Sequence, residues 1–228
     1  MIKEKLKKVA LFRKAAKMLQ MKSSRNEALM KNGYDVLRDV CGIFERNHIN
    51  YFIDFGTLLG YVREGALLSF DIDIDFGVLY ADKEKKKEIR EIMKKSGYNI
   101  SEYYEVDGDI KEESYKKGDN KFDIFYYQRG KDKNGNEYNY CHIFCRIDGK
   151  EYKSKNEASA GYYIYRMPIV PKEKSFNGIK VRVPENPEKL LEMKYGKNWR
   201  TPNKYWHYWY DAKVKDANKI AVWHGFEK

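Results

Sequence analysis

Residues 70–76 read Phe-Asp-Ile-Asp-Ile-Asp-Phe, an unbroken alternation of acid and apolar side chain. A period of two belongs to a β-strand, whose successive side chains point to opposite faces. The spacing puts Asp71, Asp73 and Asp75 on one face and Phe70, Ile72, Ile74 and Phe76 on the other. Same-face neighbours on a strand lie about 7 Å apart. Three like charges so close repel one another and help no fold, so the acids need a use outside folding. The apolar face needs a core. The expected fold class is α+β: a small mixed β-sheet carrying the Asp cluster, flanked by helices.

A chain of 228 residues is long enough for one large domain with a real core. Its 42% hydrophobic and 15% aromatic content argues for a globular protein rather than a disordered one. The net charge of +11 is uneven. The first 25 residues carry nine Lys/Arg against Glu4, which leaves the rest mildly basic. In that segment Ile2, Leu6, Val9, Phe12, Ala16 and Leu19 form a helical stripe. The expected organisation is a basic amphipathic helix over 1–25 and a single domain over 26–228 with an aromatic C-terminal tail. The helix has three readings: packed on the domain, peripheral on an anionic membrane, or an arm for nucleic acid. Nucleic acid is not the expected partner. Three cysteines, an odd number, suggest reduced thiols and a cytoplasmic protein. No apolar run is long enough to span a bilayer, and lysines interrupt any signal-peptide core. The expectation is a cytoplasmic chain, peripheral at most at the inner face of the membrane.

Ser23-Ser24-Arg25-Asn26 is expected to break the first helix and cap a second over about 27–47. Tyr51–Phe55 reads as a strand, Gly56-Thr57 as a turn, and 58–63 as a short helix. The Asp-rich strand is expected to run to about Leu79. A helix over 82–96 stops at Gly97. Strands are expected at 121–127, 141–147, 162–169 and 179–183, with turns at Asn134-Gly135 and Asn177-Gly178. Asn186-Pro187 opens a last helix that ends at Tyr195-Gly196. The rest is expected to be irregular.

Two features suggest a use for the acids. Gly56-Thr57, entering a helix after a strand, can present free N–H groups and a positive dipole end to a phosphate. Asp123 stands alone among Phe122, Ile124 and Phe125. An acid in such a setting is costly unless it is paired or binds a cation. If the two strands are neighbours, the carboxylates converge on a site suited to Mg2+, or Mn2+.

The order of strand, Gly-Thr, helix, Asp-rich strand and later lone Asp resembles the polymerase-beta type of nucleotidyltransferase. The run Gly56–Val78 further resembles the signature of the LicD family of phosphocholine and ribitol-phosphate transferases. A second block agrees: Phe176-Asn177-Gly178-Ile179, Val183-Pro184-Glu185-Asn186, and Tyr195-Gly196-Lys197-Asn198-Trp199-Arg200-Thr201-Pro202. The resemblance spans about residues 30–202. Phe55 and Ser69-Phe70 depart from the family's usual Gly and Pro-Trp.

The resemblance implies a metal pair at Asp73 and Asp75 with Asp123 as third carboxylate. Spacing alone fits Asp71-x-Asp73 equally, so Asp71 stays a candidate ligand. It further implies Gly56, Thr57 and Arg63 at the phosphates. The implied reaction moves a phospho-alcohol from a CDP-linked donor, such as CDP-choline or CDP-ribitol, to a sugar hydroxyl, releasing CMP. The acceptor would be a cell-surface glycan or lipid-linked oligosaccharide, with Asp123 as base. Trp199, Tyr205, Trp206, Tyr208, Trp209 and Tyr210 could cage a choline-like head, or simply pack the tail. The alternatives are nucleotidyl transfer with release of pyrophosphate, and a basic binding module without catalysis. Cys141-His142-x-x-Cys145 lacks a fourth ligand for Zn2+, and buried Cys on a strand is the default reading.

Overall fold

The computed structural model describes residues 2–203 and 206–226, with side chains from Ser23 onward. Helix α1 (Ile2–Arg46) is continuous. The expected break at Ser23–Asn26 is not there. Asn26 does not cap a helix. It sits within one, and its Nδ2 donates to Ser69 O at 2.8 Å and Asp71 O at 2.6 Å. That side chain is spent holding the loop ahead of the Asp-rich strand. The basic stripe of residues 2–19 lies outside the described side chains.

The second half of α1 buries Val36, Leu37, Val40, Ile43 and Phe44 at helical spacing. Strand β1 (Tyr51–Ile53) leads into α2 (Phe55–Arg63) and then β2 (Ile74–Leu79). Phe44 packs edge-on against Tyr51 and Phe76, with ring centroids 5.0 and 5.3 Å apart. Such aromatic pairs each contribute about 0.5–1.5 kcal/mol beyond area burial. Helix α3 (Lys83–Lys95) starts at Asp82, whose side chain accepts from Lys85 N, and ends before Gly97 at φ +84°.

Strands β3 (Asn99–Val106), β4 (Asp109–Lys117), β5 (Asn120–Lys131), β6 (Glu137–Cys145) and β7 (Glu157–Tyr165) follow. A two-stranded sheet, β8 (Pro171–Phe176) and β9 (Ile179–Pro184), turns on Asn177 and Gly178, both at positive φ. Helix α4 (Pro187–Tyr195) begins after Asn186, which occupies the N-cap position with Pro187 next to it, although its side chain makes no capping bond. Strand β10 (Lys215–Gly225) replaces the expected irregular tail.

Among the described residues the main sheet has eight strands in the order β1-β2-β5-β4-β3-β10-β7-β6, and β5 also pairs with β6. The sheet is therefore mixed, but larger than the sequence suggested. Six of its strands close into a ring, and β1 and β2 extend from β5. The parallel β2–β5 pair aligns Asp75 with Asp123. No helix among the described residues is long and apolar enough to cross a membrane.

Candidate metal centre

Strand β2 begins only at Ile74, so the expected strand over 70–73 is absent. Phe70 does not anchor in the core; it is 61% exposed. Ile74 and Phe76 are fully buried. The acids nevertheless converge. One carboxylate oxygen from each of Asp73, Asp75 and Asp123 lies within 4.8 Å of the other two. Asp75 and Asp123 are buried and Asp73 is half-buried. Asp123 Oδ1 is buried without a hydrogen bond of good geometry, and its contact is the Lys121 ammonium at 3.3 Å. Hard carboxylate oxygens, crowded and buried, fit a hard divalent cation.

Helix α2 positions Asp75. Gly56 N donates to Asp75 Oδ2 at 2.9 Å, and Asp75 N donates to Thr57 Oγ1 at 2.9 Å. The start of α2 holds a carboxylate of the chain itself where a phosphate was expected. A Cβ on Gly56 would collide with Asp71 Oδ2. Asp71 thus lies over Gly56, beside the three acids but outside their group. Gly56→Ala is expected to displace Asp71 and the neighbouring Asp75 and to weaken cation binding by about tenfold, since each 1.4 kcal/mol is a factor of ten. A Mg2+ titration of the variant checks this.

Lys121 supplies a fixed positive charge. Its Nζ lies 3.6 Å from Asp73, 3.3 Å from Asp123 and 3.3 Å from Glu102. Burial pulls its pKa down, but Asp123 and Asp73 outweigh this and hold it above the usual lysine range. Burial, then Asp123, raise Asp73 to about 8 despite Lys121. Burial, then Asp73 and Asp71, push Asp75 well above the carboxylate range. A cation must displace these protons. Affinity for Mg2+ is therefore expected to rise at least about tenfold between about pH 6.5 and about pH 8.5, as read by calorimetry. Folding has the opposite sign. The folded chain favours protonated Asp73, so its contribution to cation-free stability falls as pH climbs from the unfolded carboxylate range toward about 8.

The acids open onto a cleft of about 650 Å³. A family model described as LicD/FKTN/FKRP, nucleotidyltransferase domain, matches residues 48–186, more than half of the sequence. The chain belongs to the LicD family. The matched span holds β1 through β9 and all three acids. It stops short of α4 and the block from Tyr195 to Pro202.

This LicD-family chain is similar to an uncharacterised protein of Rickettsia prowazekii (strain Madrid E), at 28% identity over 163 residues, 71% of this chain and 53% of that protein. It is similar to the ribitol-5-phosphate transferase FKTN of Mus musculus, at 26% identity over 159 residues, 69% of this chain and 31% of that protein. For the Homo sapiens FKTN the figures are 24% over 180 residues, 78% and 35%. The matches span about half or less of these relatives' own lengths.

The other candidates divide. Arg63 pairs with Glu64 at 2.7 Å at the far end of α2 and does not line the cleft. Trp206 and Tyr208 do line it. Trp199 is buried in the core, Trp209 packs against Gly161, and Tyr210 is exposed. Tyr205 lies outside the described residues. Cys141 is buried with its thiol 3.8 Å from Tyr165 Oη, and burial pushes it up to about 12. His142, the next residue along β6, does not join it: His142 lines a cavity that Cys141 does not. Cys141, His142 and Cys145 form no ligand group among the described residues.

Sequence reasoning missed several residues. Lys121 shares a strand face with Asp123 through the pattern Lys-x-Asp, a signal that was legible. Glu112 lines the cleft but is hidden in the run Lys111-Glu112-Glu113. Asp54, a lone acid after Tyr51-Phe52-Ile53, is fully buried, pairs with the buried Lys194 of α4 and accepts from Tyr127 Oη at 2.6 Å. Phe55 next to it has φ +39°, a strained value for a bulky residue. Lys194 Nζ sits 3.4 Å over the Phe55 ring, so the ion pair braces the entry into α2.

Proposed function

We propose that this chain transfers a phospho-alcohol from a CDP-activated donor to a sugar hydroxyl of a surface glycan or lipid-linked oligosaccharide, releasing CMP. Asp73, Asp75 and Asp123 hold a divalent cation, Mg2+ or Mn2+. The observation that carries this reading is the three-carboxylate group that lines the cleft. Family membership and the likeness to ribitol-5-phosphate transferases support the transferred group. The β1-α2-β2 unit with β5 beside it supports reading the acid-bearing part as a nucleotidyltransferase-type core.

A bound divalent cation supplies charge neutralisation and polarisation of a phosphoryl group. Lys121 adds a fixed charge beside it. Tyr104, Tyr195, Trp206 and Tyr208 wall the cleft, exclude water and offer ring faces to a donor head group. The acceptor hydroxyl's proton passes to a carboxylate on this wall. Sequence reasoning gave that role to Asp123. Glu112 is a second candidate, because it lines the same cleft and stands outside the three-carboxylate group that would hold the cation. Glu112→Gln is expected to lower kcat by about 10²-fold or more while cation binding measured by calorimetry persists. A basic α1 suits a chain working peripherally on a membrane-borne acceptor.

The test is product analysis with CDP-choline and CDP-ribitol, Mg2+ and a glycan acceptor. CMP and a phosphodiester-linked product are expected. The description of the matching family model as a nucleotidyltransferase domain supports a second reading, transfer of a nucleotidyl group. Pyrophosphate release from a nucleoside triphosphate, with no CMP from either donor, would favour that reading.

A further inference from the structure

Strands β3, β6, β7 and β10 of the ring share a small apolar cluster, Val106, Phe144, Ala158, Ala160 and Ala221, with Tyr104 packed against it and stacked on Phe144 at 4.3 Å. Tyr104 and Phe144 also line the acid cleft. Val106 also lines a second cavity of about 360 Å³. Every strand of the ring contributes to its wall: Val106, Lys111, Gln128, His142, Tyr162 and Lys219. It shares no wall residue with the acid cleft. The mouth of a β-barrel is a common place for a ligand.

His142 is 6% exposed, and its Nδ1 has no hydrogen-bond partner among the described residues. Leaving a buried nitrogen unpaired costs stability. The Tyr140 and Tyr162 rings flank His142 at 5.6 and 6.0 Å. Lys111 is also buried. Its ammonium donates to Asp109 at 2.6 Å and Gln128 at 2.9 Å, which accounts for two of its three donors. Lys219 pairs with Asp107. The wall thus carries matched charges, and burial with Lys111 and Lys219 holds His142 down at about 4, a neutral imidazole at neutral pH.

These groups select a ligand chemistry. An anion would meet Asp107 and Asp109 and find no imidazolium. A cation would meet two lysines. An apolar group would leave His142 Nδ1 unmet. A hydroxyl group both donates and accepts, so it can serve an imidazole nitrogen and an ammonium at once. The C–H faces of a sugar suit the surrounding tyrosine rings. We infer that this second mouth of the barrel binds a neutral polyhydroxylated ligand, a sugar or sugar alcohol, through His142 and Lys111. The inference does not rest on the chemistry of the acid cleft.

The test titrates glucose, galactose, N-acetylglucosamine and ribitol, each at millimolar concentration, into the full chain. The readouts are the His142 side-chain NMR resonances and the Tm. Inorganic phosphate forms a separate arm. At least one polyol is expected to shift His142 and raise the Tm. His142→Phe keeps a stacked ring but removes both nitrogens. It is expected to raise the ligand-free Tm and weaken polyol binding at least about tenfold. Ala217→Leu, which fills the mouth and leaves every polar group in place, is expected to weaken it likewise. Asp75→Asn is expected to leave it unchanged. The inference is overturned if no polyol shifts His142, if phosphate alone does, or if binding survives in both His142→Phe and Ala217→Leu.

Discussion

Asp75→Asn is expected to lower turnover by about 10³-fold, because losing several kcal/mol of metal-borne stabilisation costs a factor of ten per 1.36 kcal/mol. Asn keeps an oxygen for the Gly56 N–H, which Asp75 now accepts at 2.9 Å. It loses the charge that gathers a cation. Stability should move the other way. Burial, Asp73 and Asp71 push the Asp75 pKa upward, so its charged form is disfavoured in the folded chain. Removing that charge relieves repulsion, and the cation-free variant should melt no lower than the wild type at about pH 8. Added Mg2+ should raise the wild-type Tm and leave the variant's Tm unchanged. A variant that unfolds outright would show that Asp75 serves the fold rather than the reaction.

Lys194→Met carries the largest expected effect on stability. Lys194 and Asp54 are both fully buried and paired with each other. Removing one partner of a buried ion pair leaves the other uncompensated and costs about 3–5 kcal/mol. Here it also frees Phe55, whose backbone is strained and whose ring the ammonium covers. Asp54→Asn combined with Lys194→Met should recover most of the loss, because neutral groups of similar shape replace both charges. Urea denaturation of the two single variants and the double variant measures the coupling. Additive losses would mean that the pair is not the brace inferred for α2.

Asp75 and Asp123 stand out in the sequence because each is an acid in an otherwise apolar strand, a costly arrangement unless the acid is paired or binds a cation. Their side-by-side register does not. It depends on a parallel pairing between strands separated by α3, β3 and β4. The alternation of residues 70–76 overstated the strand. β1, the neighbour of β2, is three residues long and ends opposite Phe76, and Asn26 ties the backbone of 69–71 to α1. Acid and apolar residues can alternate without pairing. The opposite failure hid β10. Its segment Lys215–Gly225 is polar, and Ile220 and Val222 are exposed. It is a strand because β7 pairs with it as far as Val222 and β3 from Val222 to Gly225. That is a tertiary cause, invisible to periodicity. The Asp54–Lys194 pair joins residues 140 positions apart, beyond any local pattern.

The most direct measurement is a calorimetric titration of the wild-type chain with Mg2+, and separately Mn2+, at about pH 8, without nucleotide. Saturable binding is expected, weakening at lower pH and disappearing in the Asp73→Asn/Asp75→Asn double variant. Absence of binding by the wild type, or equal binding by the folded double variant, would contradict it.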